Sequence, residues 1–223
     1  MIITIDGPAG SGKSTAARKL AAHLEIAYLD TGAMYRALAY SALQGGVVAT
    51  DDAALLAHAR SADVALDCGP THTRIRVDGH DVSEAIRTMT VSAMTPFVAA
   101  LAEIRALLVK RQREIARELG SLVTEGRDQG STVFPDADAK FVLDATLQKR
   151  AERRFQELVA EGEDVRIEEV LENLQQRDAV DARQWESLLP PGRAVVIDTT
   201  ALSISEVVRQ MVEVIESPTR RTP

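Results

Sequence analysis

Gly7-Pro8-Ala9-Gly10-Ser11-Gly12-Lys13-Ser14 carries a glycine, four intervening residues and then Gly-Lys-Ser, the pattern of a phosphate-binding loop. Glycines let the backbone open so that several N–H groups converge on phosphate oxygens. The helix that follows such a loop adds the positive end of its dipole. Lys13 can reach the outer phosphates, and the Ser14 hydroxyl is placed to ligate Mg²⁺. Gly7, Pro8, Ala9, Gly10, Ser11, Gly12, Lys13, Ser14 and Thr15 are therefore the candidate ATP-binding residues, with Lys13 also a catalytic candidate and Ser14 the metal ligand. The competing explanation is a glycine-rich turn with a solvated lysine. Context opposes it, because a β-branched run leads into Gly7 and a helical pattern starts at Lys13. The loop implies a bound nucleoside triphosphate but not its fate, since switches, motors and kinases all share it.

The elements that hold the loop alternate. Residues 1–5 predict a buried strand, 13–24 a helix with Ala17, Leu20 and Leu24 on one face, 26–29 a second strand and 32–43 a second helix. Strand alternating with helix predicts a parallel sheet covered on both sides. Residues 64–67 and 73–77 instead alternate with period two around Cys68-Gly69-Pro70, and Asp78-Gly79 is a turn signal, so a small antiparallel unit interrupts the pattern. One long helix is expected over 98–118, then strands at 121–124 and 140–143 and helices at 147–160 and 167–184. A last strand at 194–197 and a helix at 203–215 follow. Residues 161–164 read as a mobile connection and 217–223 as a frayed tail.

A second group of chemistry-bearing segments narrows the reading. Tyr28-Leu29-Asp30-Thr31-Gly32-Ala33-Met34-Tyr35-Arg36 lies where open α/β sheets place ligands. With it come Asp78-Gly79-x-Asp81-Val82-(x)₃-Ile86-Arg87-Thr88 and Gly126-Arg127-Asp128-Gln129-Gly130-Ser131-Thr132-Val133-Phe134-Pro135. Arg177-Asp178-(x)₂-Asp181 and Asp198-Thr199-Thr200-x-Leu202-Ser203 follow. Together with the glycine loop, these segments closely resemble the bacterial cytidylate kinases, in order and over nearly the whole chain.

The resemblance implies an α/β fold: a three-layer P-loop kinase core with a parallel sheet, a small antiparallel insert that binds the nucleoside monophosphate, and a helical lid. It divides one kinase domain, 1–223, into core (1–40, 90–145 and 185–223), insert (41–89) and lid with its following helix (146–184). It also implies transfer of the ATP γ-phosphoryl group to CMP or dCMP. Asp128 would accept from cytosine N4 and Arg105 would face the acceptor edge, in keeping with how carboxylates read cytosine in nucleic acids. Arg36 and Arg127 would hold the monophosphate, Thr31 and Asp181 the ribose, and Arg177 the transferring group. Arg150 and Arg154, in the lid, would stabilise charge on the equatorial oxygens.

Bland explanations stand beside these roles. Arg105 could lie along a helix surface, and Arg177 and Asp181 could form an i,i+4 pair worth under about 0.5 kcal/mol. Arg150, Arg153 and Arg154 could form a solvated face, with Arg153 reaching Glu157. An already anionic phosphate acceptor needs no general base, so positioning and charge compensation should dominate, with a lid excluding water. Two positions depart from the family pattern: Gln184 stands where an arginine is usual, and Leu188-Leu189 replaces a Pro-Leu pair. Pro96 stands where some relatives have a serine that contacts the base. These changes bear on acceptor affinity and cytosine selectivity, not on the ATP loop.

The net charge of −7 over 223 residues opposes general binding of nucleic acid or anionic membranes. The single cysteine, Cys68, excludes an intramolecular disulfide and a cysteine-based zinc site. Neither a signal peptide nor a membrane-spanning stretch is evident, so a cytoplasmic monomer binding only small nucleotides is expected. The alternatives are a kinase for UMP, another monophosphate or a hydroxyl metabolite such as shikimate, and an NTP-binding switch without transferase activity.

Overall fold

A computed structural model describes residues 1–160, 162–190 and 192–217, without the side chains of 177 and 180–185. Strand β1 (Ile2–Asp6) is almost wholly buried and runs directly into the glycine loop. Helix α1 (Lys13–Leu24) follows and ends at Glu25 in the left-handed conformation. Strand β2 (Ala27–Asp30) leads into α2 (Thr31–Gln44), whose first turn is capped by Asp30 accepting the Ala33 N–H at 2.8 Å. A short helix α3 (Asp52–Ser61), unforeseen in the sequence, precedes the small sheet of β3 (Val64–Cys68), β4 (Thr73–Val77) and β5 (His80–Asp81). β3 pairs antiparallel with β4 from Val64 opposite Val77 to Cys68 opposite Thr73, as the alternating pattern predicts.

The single helix expected over 98–118 is two helices, α4 (Met89–Ala100) and α5 (Ala102–Leu119), bent by 97°. Leu101 takes an extended conformation at the break. No glycine or proline marks Leu101, and Pro96 lies five residues earlier inside α4. Only the apolar spacing of Ile104, Leu108 and Ile115, all buried, belongs to α5.

Strand β6 (Leu122–Glu125), a π-helical turn over Gln129–Val133, and strand β7 (Ala139–Asp144) come next. Helices α6 (Leu147–Ala160) and α7 (Ile167–Glu186) are the charged pair predicted in the lid region and pack on one another. Strand β8 (Val195–Asp198) and α8 (Ile204–Glu216) complete the order, α8 beginning with a capping box between Ser203 and Glu206. The large sheet has five strands in the order β2-β6-β1-β7-β8, with β1 parallel to β7 and β7 parallel to β8.

By contact density the chain forms two compact units, residues 1–25 with 123 onward, and Ile26–Leu122. The predicted α/β class and the antiparallel insert are both present. Glu161, within the expected mobile connection, and 218–223 of the tail lie outside the described residues. No helix among the described residues is by itself long and apolar enough to cross a membrane.

Candidate active site

The loop between β1 and α1 is built on backbone that only glycine takes readily. Gly7, Gly10 and Gly12 have φ of 135°, 76° and 93°. At Gly7 a Cβ would also lie 2.1 Å from the Leu143 carbonyl oxygen, so the loop is pressed against β7. Gly12 is the residue before the first turn of α1, which puts the helix N-terminus at the loop. Lys13 is buried, and its Nζ donates to the Pro8 carbonyl at 2.7 Å, which folds the side chain over the loop. Ser14 Oγ donates to Glu125 Oε1 at 2.9 Å.

Side chains hold the loop's carbonyl oxygens one after another. Arg127 Nη1 donates to Gly7 O at 2.8 Å, and Ser11 Oγ joins Lys13 on Pro8 O at 3.0 Å. Arg150 Nη1 reaches Ala9 O at 3.2 Å, and Thr199 Oγ1 reaches Ser11 O at 3.1 Å. In a trans peptide the carbonyl and the next N–H point in opposite directions. Fixing the oxygens of residues 8, 9 and 11 therefore fixes the N–H groups of Ala9, Gly10 and Gly12, the donors that a phosphate needs.

The segment carrying Arg127 and Asp128 is strapped to β1. Gly126 N–H donates to Ile5 O at 3.1 Å, and the Asp6 carboxylate accepts from Gln129 and Gly130. Burial pushes the Asp6 carboxyl up to about 6; the two N–H bonds and Lys13 oppose the shift, and the nearby Asp128 adds to it.

Arg150, Arg153 and Arg154 on α6 are placed differently from the sequence expectation. Arg150 is only 6% exposed, and its guanidinium is committed to Asp178, Ala9 and Ala145 rather than open to a phosphate. Arg153 does not reach Glu157. It donates to Thr199 Oγ1 at 3.0 Å and to the Thr199 carbonyl at 2.5 Å, while Arg154 makes the i,i+3 pair with Glu157 at 3.0 Å. A solvated common face is thus split, because 100° per residue points neighbours in different directions. Arg154 alone keeps the exposed position expected of the three.

In the second unit, Thr31 is buried in the first turn of α2 and Arg36 lies just over one turn further. Arg36 pairs with Asp30 at 3.2 Å, and its Nε is buried without a hydrogen-bond partner. Arg105 sits half-buried on α5. The side chains of Arg177, Asp181 and Gln184 lie outside the described residues, whereas Leu188 is buried against Val142. Lys13, Ser14, Arg127, Asp128 and Arg150 thus belong to one unit, and Thr31, Arg36 and Arg105 to the other.

Sequence reasoning missed Asp6, Glu125 and Asp178. The first two are the last residues of strands β1 and β6, and carboxylates at strand ends beside a phosphate loop were the available signal. Asp178 had no signal beyond its place in the Arg-Asp motif.

A glycine loop between a strand of a parallel sheet and a helix, with lysine in the first turn and a strand-end carboxylate on the following serine, defines a P-loop nucleotide-binding protein, and the family match makes it a nucleoside monophosphate kinase. Residues 3–217 match the family model described as cytidylate kinase, and the chain belongs to that family. It is 45% identical over 219 residues to the cytidylate kinase of Caldanaerobacter subterraneus subsp. tengcongensis, covering 98% of this chain and 96% of that one. The cytidylate kinase of Geobacter sulfurreducens is 40% identical over 224 residues, covering 100% of this chain and 96% of the relative. A shikimate kinase structure from Bacteroides thetaiotaomicron superposes with a TM-score of 0.52 at 12% identity, over 97% of this chain and 99% of that one, a likeness of fold alone.

Proposed function

We propose that the protein transfers the γ-phosphoryl group of ATP to CMP or dCMP, giving ADP and CDP or dCDP, by in-line attack of the acceptor phosphate oxygen. The carrying observation is the glycine loop of Gly7–Ser14, with its carbonyls held by Arg127, Arg150 and Thr199, in a chain of the cytidylate kinase family. The acceptor oxygen is mostly ionised at neutral pH, so no residue need remove a proton. Lys13 exchanges the Pro8 carbonyl for an outer phosphate oxygen, and the α1 N-terminus receives the inner phosphates.

Ser14 Oγ and Glu125 Oε1 are hard oxygen donors 2.9 Å apart. Among the described residues no cluster of three or more His, Cys, Asp or Glu competes with them. That suits Mg²⁺ held by one or two protein oxygens and the phosphates. When bound, the ion supplies charge neutralisation between the phosphates.

On the acceptor side, Arg36 is poised for an anion because its Nε is buried and unpartnered. The motif match assigns Arg127 to the same monophosphate, Thr31 and Asp181 to the ribose, Asp128 and Arg105 to the base, and Arg154 and Arg177 to the transferring group. Residues 41–89 are proposed as the acceptor-binding insert and 146–184 as the lid, in a cytoplasmic monomer.

ADP release is measured with ATP·Mg²⁺ and, separately, CMP, dCMP, UMP, AMP and shikimate. Strong turnover with CMP and dCMP, weak turnover with UMP and none with AMP or shikimate is expected. Equal rates with CMP and UMP would remove the selectivity assignment, and no CMP-dependent release would sink the proposal.

A further inference from the structure

Arg150 lends nearly all of its guanidinium to the loop and its surroundings. Its Nε donates to Ala145 O at 3.0 Å, Nη1 to Ala9 O at 3.2 Å and to Asp178 Oδ1 at 3.1 Å, and Nη2 to Asp178 Oδ2 at 2.5 Å. A guanidinium has five N–H donors, so little remains for a phosphate. The paired bonds to Asp178 are the bidentate geometry that fixes an arginine's plane as well as its place.

Packing supports the same placement. A Cβ at Gly10 would lie 2.9 Å from the Arg150 carbonyl oxygen and 3.0 Å from its Cβ, so α6 is seated directly on the loop. Ala9 is buried in the apolar cluster of Ala151 from α6 with Val170 and Leu174 from α7. The loop, α6 and α7 thus meet at one point, and the polar contact at that point is Arg150 with Asp178.

We infer that Arg150 and Asp178 form a clasp that aims the phosphate loop: Asp178 fixes Arg150, and Arg150 holds the Ala9 carbonyl so that the Gly10 N–H is presented to ATP. Arg150 is then a positioning residue, and Asp178, adjacent to the Arg177 assigned to the transferring group, ties α7 to the same loop. This rests on ATP binding at the loop, as proposed above.

The test measures binding of ATP·Mg²⁺ without acceptor, alongside steady-state kinetics with CMP, for the wild type, Asp178→Asn, Asp178→Glu, Arg150→Lys and the Asp178→Asn/Arg150→Lys double variant. Wild-type binding and turnover check the underlying function independently of the clasp. Asp178→Asn and Arg150→Lys are each expected to weaken ATP binding about tenfold, the scale of a hydrogen bond to a charged group. The double variant should lose no more than about twofold beyond the weaker single, because both remove one coupled unit. Asp178→Glu keeps the carboxylate and should stay within about threefold of the wild type.

A purely structural role would lower kcat through loss of folded enzyme and leave the KM for ATP unchanged, which overturns the proposal. Unchanged ATP affinity in Asp178→Asn with a lower kcat in Arg150→Lys would also overturn it, since Arg150 would then act on the phosphoryl group itself. If Asp178→Asn does not fold, Arg150→Lys and Asp178→Glu still separate these outcomes.

Discussion

Asp6 holds Gly130 by a backbone hydrogen bond of 2.8 Å and holds the preceding Gln129 N–H on its other oxygen at 2.7 Å. The contact is close enough that a Cβ on Gly130 would sit 3.1 Å from Asp6 Oδ2 and 2.8 Å from Thr4 Oγ1. One carboxylate at the end of β1 therefore sets both the entry to the glycine loop and the turn that carries Arg127 and Asp128.

That carboxylate is fully buried, and its proton affinity is raised from 3.8 to about 6. Between these values the folded state holds a proton that the unfolded chain has lost, so this group's contribution to stability falls as pH rises through 6. At pH 7 the buried charge costs about 3 kcal/mol relative to the protonated form. Urea unfolding of the wild type and Asp6→Asn between pH 4.5 and 7.5 should show the wild type gaining on the variant by roughly 1–3 kcal/mol as pH falls. A difference independent of pH would contradict the raised affinity.

Gly7 and Gly46 both have positive φ, 135° and 69°, but only Gly7 lacks room for a side chain. Gly46→Ala should cost about 1 kcal/mol from backbone strain alone. Gly7→Ala must displace the Leu143 carbonyl, and should lower the melting temperature further and abolish ATP binding. Calorimetry of both variants checks the contrast, and equal losses would rule out the steric account.

Glu125 accepts the Ser14 hydroxyl, so Glu125→Gln should retain a hydrogen bond while losing the charge that favours Mg²⁺. The expected result is a kcat roughly 10²-fold lower and a higher Mg²⁺ requirement, on the scale of removing one electrostatic group from a phosphoryl-transfer site. A titration of rate against Mg²⁺ decides it, and an unshifted midpoint would remove Glu125 from the metal site.

Asp128 is assigned to the cytosine amino group, so Asp128→Asn should lower kcat/KM for CMP about tenfold or more and change UMP less. Competition between CMP and UMP in one reaction reads the ratio directly. A proportional loss for both acceptors would make Asp128 a structural residue of the turn it begins.

The linear order of residues was sufficient for the loop and its helix. Strand, glycine pattern, lysine and hydroxyl are local features, and the physics of phosphate binding at a helix N-terminus needs only that local succession. Period-two and helical spacing likewise revealed the small sheet and the α6–α7 pair. The break at Leu101 was not legible, because Ala100, Leu101 and Ala102 suit a helix interior and the turn between α4 and α5 carries no glycine or proline signal. The exchange of partners between Arg153 and Arg154 was not legible either, since helical spacing relates residues of one helix and is silent about what packs against it.

From the sequence alone one could determine the family, the α/β class and the glycine loop with its phosphate-binding pattern, because each is written in short runs of residue types with fixed spacing. Only the tertiary structure decided that Arg150 is buried on Asp178 and Ala9, that Glu125 meets Ser14 and that Asp6 holds the turn after Asp128. Those partners are separated by 28 to 141 positions along the chain. Charge and hydrogen-bonding capacity are properties of a residue, but the partner that satisfies them is chosen by packing.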